Sequence, residues 1–233
     1  MIRTKIYILV RCLWRKAHSL FKNKFKTSGV TISDTIKWTS ERIVEYPFIF
    51  KNLGSKPKRI LDVGCTGSYL ITQLAALGHT VYGIDLRWYP VRYPNVKFVQ
   101  GDIRNTDFPN AFFDIIIAVS TLEHVGIKEP QGGLEDPEGD QKAIKEMIRI
   151  LKPNGKMLVT LPYGKCDTKN TKFRVYNAKT LIDLLTDLNI EQIEYYSRKE
   201  VYWLSTTKSE AEIIDNSEIA NAVVLLELSK KTN

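Results

Sequence analysis

The chain has few cysteines, no long apolar run and no acidic residue before Asp34. Its three cysteines, Cys12, Cys65 and Cys166, are odd in number, widely spaced and never in a Cys-x-x-Cys pair, which excludes a disulfide framework and a cysteine zinc site and leads us to expect a reducing cytoplasm. No stretch approaches the roughly 18 apolar residues that a membrane-spanning helix requires. The early apolar run Ile6 to Val10 is cut by Arg11 and precedes no small-residue cleavage site, so secretion is not expected. The missing acids locate the charge. Lys plus Arg number 34 against 26 Asp plus Glu, a net +8, and residues 1–26 hold eight of the cations, so the remainder of the chain is neutral. At 43% apolar and 26% charged, the 233 residues are neither disordered nor collagen-like in composition. A chain of this size can bury about 70–75% of its unfolded surface, which suffices for a sizeable core.

From residue 33 the sequence alternates. Ser33 and Asp34 are cap-type residues ahead of a helix expected to run until Pro47 disturbs it. Arg59 to Val63, Thr80 to Asp85, Val96 to Val99, Phe113 to Val119 and Lys156 to Leu161 read as strands. The fourth is apolar almost throughout, as a strand covered on both faces must be. Tyr69 to Leu77, Pro137 to Leu151 and Ala178 to Leu188 carry helical spacing, with Gly78 and Pro153 as stops. Ile190 to Tyr196 and Ala222 to Leu228 follow as two more strands around a polar insertion. This predicts an α/β doubly wound sheet with right-handed crossovers, preceded by a basic arm over residues 1–32 and occupying residues 33–233.

In such a sheet the ligand sits outside the carboxyl ends of the strands. The first strand ends in Asp62-Val63-Gly64-Cys65-Thr66-Gly67-Ser68 and runs into a helix, where glycines let backbone N–H groups approach an anionic or polar ligand. The second ends in Asp85, 21 residues after Gly64, a carboxylate able to accept both hydroxyls of a ribose. The third ends in Gly101-Asp102, where the acid can accept the exocyclic amine of an adenine while Ile103 packs on the ring. A nucleotide-like ligand follows.

These blocks, ILDVGCTGS at 60–68, VYGIDLR at 81–87, VQGDIRN at 99–105, FDIIIAVSTLEHVG at 113–126 and LKPNGKMLVTLP at 151–162, resemble class I S-adenosylmethionine-dependent methyltransferases. DPEGD at 136–140 and FRVYN at 173–177 look like a bacterial branch found among surface-glycan genes. The resemblance implies a Rossmann-like sheet of order 3-2-1-4-5-7-6 with an antiparallel C-terminal strand, and S-adenosyl-L-methionine as cofactor. Asp62 and the backbone of Gly64, Cys65 and Gly67 would hold its methionine end, Asp85 its ribose with Leu86 beside the adenine, Asp102 and Ile103 its base, and Ser120 would line the floor near the sulfonium. One departure is that Thr66 and Ser68 replace the second and third glycines of the family's Gly-x-Gly-x-Gly. A β-branched residue at a positive φ would be costly there.

His124, after the fourth strand, is the candidate general base, with Glu123 to orient it. Residues 125–141 are long enough for a lid. Asp136, Glu138 and Asp140 stand two apart, but the rest of a calcium loop is absent and acids beginning a helix meet its dipole, so Asp136 is read as a substrate contact and no metal is expected. Tyr163, Arg174 and Tyr176 lie in segments that can reach the acceptor or merely pack. The absence of Pro-Cys and of an Asn/Asp-Pro-Pro-aromatic motif argues against a nucleic-acid base as acceptor. The expected acceptor is a small molecule or a saccharide, with O-methylation favoured. An RNA methyltransferase using the basic arm and a non-catalytic cofactor binder are the alternatives. In the arm, Ile6, Leu9, Val10, Leu13, Ala17, Leu20 and Phe21 recur at helical spacing beside Arg11, Arg15, Lys22 and Lys26. Two readings stay open there: a peripheral contact of residues 1–26 with an anionic inner membrane surface, or a helix packed on the body.

Overall fold

The computed structural model describes residues 39–127, 135–166 and 172–231. Residues 41–199 and 203–233 form one unit that carries the sheet and the site; a second unit comprises residues 1–40 and 200–202, of which 39–40 and 200–202 are described. The arm read at residues 1–32 lies outside the described residues.

The elements are α1 (Arg42–Lys51), β1 (Arg59–Val63), α2 (Leu70–Ala76), β2 (Thr80–Asp85), β3 (Val96–Gln100), β4 (Phe113–Val119), a 3₁₀ turn at Leu122–His124, α3 (Gly139–Ile150), β5 (Leu151–Pro162), α4 (Ala178–Leu184), β6 (Leu188–Lys199), β7 (Tyr202–Thr206), α5 (Lys208–Glu212) and β8 (Ala222–Lys230). The sheet order is β3-β2-β1-β4-β5-β8-β6-β7, with β8 antiparallel between β5 and β6. This is the expected methyltransferase order with one addition. The polar insertion after Lys199 contributes the extra strand β7, so the C-terminal strand becomes the eighth.

Each run of apolar residues divides between the two faces. In β4, Ile116 and Ala118 join the core under α3 and α4, while Ile115, Ile117 and Val119 join the core under α1 and α2. Alternation along a strand sends neighbours to opposite faces, and both faces are covered, which is why no polar residue interrupts Ile115 to Val119. Pro47 does not end its helix. It sits inside α1, where the lost backbone bond, a cost of about 3 kcal/mol in a helix interior, is set against the full burial of Phe48 and Ile49 on the sheet.

β1 pairs in parallel with β2 on one side and with β4 on the other. The chain therefore winds outward in both directions from β1 and β4, and the crevice between their carboxyl ends is the switch point where a ligand fits.

Candidate functional site

The crevice holds a cavity of about 290 Å³ whose walls come from the ends of β1 to β4: Val63, Gly64 and Thr66; Asp85 to Arg87; Gly101 to Arg104; Val119 to Thr121; then His124 to Ile127, with Arg42 from α1.

The turn after β1 shows why two glycines are missed without harm. Positive φ occurs at Gly64 (+72°) and Gly67 (+86°), whereas Thr66 and Ser68 are not among the non-glycine residues with positive φ. A Cβ at Gly64 would lie 2.5 Å from the Thr121 side chain. The departures from the family pattern thus fall at positions that do not need glycine. Thr66 N donates to Asp85 Oδ2 at 3.0 Å, and Ser68 Oγ accepts from Leu70 N at 3.2 Å at the start of α2. Cys65 is packed beneath the turn, where burial pushes its thiol well up.

On the rim stand two acids, each held by the arginine two residues later. Asp85 accepts from Arg87 N (2.9 Å), Nε (3.1 Å) and Nη2 (3.2 Å). Asp102 accepts from Arg104 N at 2.9 Å and, through a guanidinium fork, from Nη2 at 2.6 Å. Burial works against both charges, but the arginine hydrogen bonds outweigh it and hold both carboxyls below the ordinary range. The sequence shows this pairing as Asp-Leu-Arg and Asp-Ile-Arg, although i,i+2 spacing at a strand end does not by itself reveal a contact. Leu86 and Ile103, between each acid and its arginine, complete that wall.

The floor is different. Ser120, ending β4, holds φ +43°, a left-handed conformation that costs a non-glycine residue about 1–3 kcal/mol. Its N–H donates to Thr160 O (3.2 Å) and Oγ1 (3.0 Å), and its hydroxyl donates to Glu45 Oε1 at 2.7 Å. Glu45 is fully buried and accepts also from Thr160 Oγ1 at 2.6 Å and from Arg42 Nη1. Behind them Asp62 and Glu123 are 3% and 2% exposed, and among the described residues Asp62 Oδ2 and Glu123 Oε2 are buried without a hydrogen-bond partner. Burial pushes the Asp62 carboxyl up to about 8, with Arg42 opposing and Asp85 reinforcing the rise. Burial likewise drives Glu123 far above the ordinary carboxylate range and raises Glu45. Glu45, Arg42 and Thr160 carried no signal in the sequence, because α1 meets the ends of β4 and β5 only in three dimensions.

His124 lines the cavity at the end of the 3₁₀ turn, with Nδ1 3.2 Å from the Lys172 carbonyl and its ring edge-on to Phe173. Glu123, its neighbour, is buried in the floor and is not one of the lining residues. The structure also leaves Tyr163, Arg174 and Tyr176 off the cavity wall. Tyr163 and Tyr176 are core residues, and the Tyr176 hydroxyl donates to Asp140 Oδ2 at 2.8 Å. Arg174 donates to the carbonyls of Val125, Asp136 (3.1 Å) and Pro137 (3.2 Å), stitching together the two stems of the segment read as a lid. Asp136 accepts from Arg104 Nη1 at 3.2 Å and Lys142 Nζ at 2.8 Å, which holds its carboxyl low and ties the lid stem to the rim. Residues 128–134, the middle of that segment, lie outside the described residues.

Residues 61–159 match a family described as a methyltransferase domain. The chain is 29% identical over 142 residues to the ubiquinone biosynthesis O-methyltransferase of Coxiella burnetii, covering 57% of this chain and 53% of that protein. It is 27% identical over 136 residues to norajmaline N-methyltransferase of Rauvolfia serpentina, covering 53% and 42%. The chain spans about half the length of the curated relatives it matches. In fold it is similar to the N-methyltransferase NodS of Bradyrhizobium japonicum, solved with S-adenosyl-L-homocysteine, at a TM-score of 0.58, 18% identity and coverage of 82% and 88%. The cavity suits such a cofactor: an acid at the end of β2 for a diol, an acid at the end of β3 for an exocyclic amine, and a buried, unpartnered Asp62 oxygen below the glycine turn. Residues 61–159 are therefore similar to the methyltransferase-domain family, on a fold shared with solved S-adenosylmethionine-dependent methyltransferases, and the residues at the strand ends suit S-adenosyl-L-methionine as cofactor.

Proposed function

We propose that this protein transfers a methyl group to a hydroxyl of a small-molecule or saccharide acceptor, with His124 as general base. The observation that carries this reading is that His124 stands on the wall of the same cavity as the glycine turn, Asp85 and Asp102. When bound, S-adenosyl-L-methionine supplies a methyl group activated by its sulfonium. Asp85 would hold the ribose, Asp102 and Ile103 the adenine, and Gly64 with Asp62 the methionine end. Arg42, which lines the same cavity, would pair with a carboxylate. Such holding lets orientation supply about 7–11 kcal/mol of the barrier. The Lys172 carbonyl beside Nδ1 selects the tautomer with hydrogen there and leaves Nε2 as the basic atom. A base so placed adds roughly 10²- to 10⁴-fold.

A hydroxyl acceptor is supported by the likeness to an O-methyltransferase. The fold also serves N-methylation in other proteins. The eight uncompensated cations in residues 1–26 support a peripheral contact with anionic lipid, a view that fits an acceptor carried at a membrane surface; among the described residues no helix is long and apolar enough to cross a membrane. The test begins with a mass-spectrometric search for metabolites and glycans methylated only when the protein is present. On the acceptor found, His124→Ala should retain S-adenosyl-L-methionine binding by calorimetry while turnover falls at least a hundredfold; wild-type turnover excludes His124 as base. Pelleting with acidic vesicles that is unchanged by deletion of residues 1–26 removes the membrane contact.

A further inference from the structure

We infer that Glu45 of α1 is a positioning residue of the cofactor site, acting through Ser120 and Arg42 without touching the ligand. The inference rests on the cofactor reading above. Glu45 is fully buried, yet both oxygens are used: Oε1 by the hydroxyls of Ser120 and Thr160, Oε2 by Arg42. Its partners lie 75 and 115 positions away, at the ends of β4 and β5. Helix α1 is already fixed to the sheet by Phe48 and Ile49, so docking the helix does not require a buried carboxylate. What the carboxylate adds is the conformation of two cavity-wall residues. Ser120 keeps its left-handed backbone only while its neighbours over-determine it, and Glu45 holds its side chain as Thr160 holds its N–H. Arg42, which also lines the cavity, is held by the same carboxylate.

The experiment measures affinity for S-adenosyl-L-homocysteine by calorimetry, together with the thermal midpoint, in the full chain. Glu45→Ala, which removes both functions, is expected to weaken binding at least tenfold. Glu45→Gln retains an oxygen for Ser120 and Thr160 but lacks the charge for Arg42, and is expected to weaken binding about threefold to fivefold. Glycine adopts positive φ without a clamp, so Ser120→Gly in the Glu45→Ala background should recover the part of the loss that runs through Ser120 and bring affinity to about that of Glu45→Gln. Should Glu45→Ala not fold, a threefold or greater loss in Glu45→Gln at an unchanged midpoint supports the inference. A lowered midpoint with wild-type affinity in both Glu45 variants overturns it and leaves Glu45 a purely structural residue, and no recovery on Ser120→Gly overturns the route through Ser120. A wild-type chain that binds no S-adenosyl-L-homocysteine instead removes the cofactor reading itself.

Discussion

The rim and the floor of one cavity treat carboxylates in opposite ways. On the rim, Asp85, itself buried, and the half-buried Asp102 are each met by an arginine two residues on, which holds both carboxyls below the ordinary carboxylate range. On the floor, Asp62 and Glu123 are almost wholly buried, with one oxygen each unpartnered, and both are pushed up. Charge on the rim is available to accept hydroxyls and amines. Beneath the floor, Asp62 and Glu123 are held in a costly buried state, and neither lines the cavity itself.

The comparison breaks most visibly at Asp85. Asp85→Ala removes the carboxylate proposed to accept both ribose hydroxyls, through charge-assisted hydrogen bonds of about 1.5–3 kcal/mol each, and should weaken S-adenosyl-L-methionine binding by roughly a hundredfold or more in calorimetry. Unchanged affinity would show that the rim is not the ribose site.

A smaller effect is expected at Asp62, and its sign separates floor from rim. Its folded carboxyl titrates near 8 against an ordinary value of 3.8, so above about pH 4 the unfolded chain releases a proton that the folded chain keeps. Stability from this group is complete below about pH 4 and is lost as pH rises towards 8. Asp62→Asn should therefore raise the unfolding midpoint at pH 8, by about 2–4 °C for each kcal/mol recovered, while weakening cofactor binding. Asp85, Asp102 and Asp136 contribute in the other direction, their stability being present above about pH 4 and lost below it. A thermal scan in which Asp62→Asn gains nothing between pH 5 and 8 would erase the distinction.

The smallest effect is expected at Arg87, whose guanidinium occupies the carboxylate that a ribose would use. Arg87→Met should tighten S-adenosyl-L-homocysteine binding by about twofold to fivefold and steepen its loss at low pH, as Asp85 loses the partner that keeps it ionised. Weaker binding would place Arg87 on the ligand instead.

Much of the rim was legible in the sequence because each of its parts is local. Gly64, Asp85, Asp102 and Ile103 end strands that announce themselves by apolar runs, and β1, β2 and β4 begin and end within a residue of the pattern. The floor was not legible. Ser120 was expected to line it, but nothing near Ser120 in the sequence shows a left-handed backbone, and nothing near Glu45 shows that it reaches β4 and β5. Tyr163, Arg174 and Tyr176, open in the sequence between reaching an acceptor and packing, follow a site strand, and packing places two in the core and gives the third to the carbonyls of Val125, Asp136 and Pro137. Thr66 and Ser68 looked costly only because the family spacing was assumed to mark the positions of positive φ; here the turn requires it at residues 64 and 67.

By itself the amino-acid sequence determined the alternation of strands and helices, the concentration of basic charge before residue 27 and the acids that close the second and third strands. These are short-range properties, set by periodicity, turn residues and composition, and they survive without knowledge of what packs on what. Tertiary structure alone decided which carboxylates stay charged, which side chains line the cavity and what holds the strained serine at its floor. Those depend on solvent exclusion and on partners as many as 115 positions apart, quantities that exist only once the sheet has brought α1, β4 and β5 together.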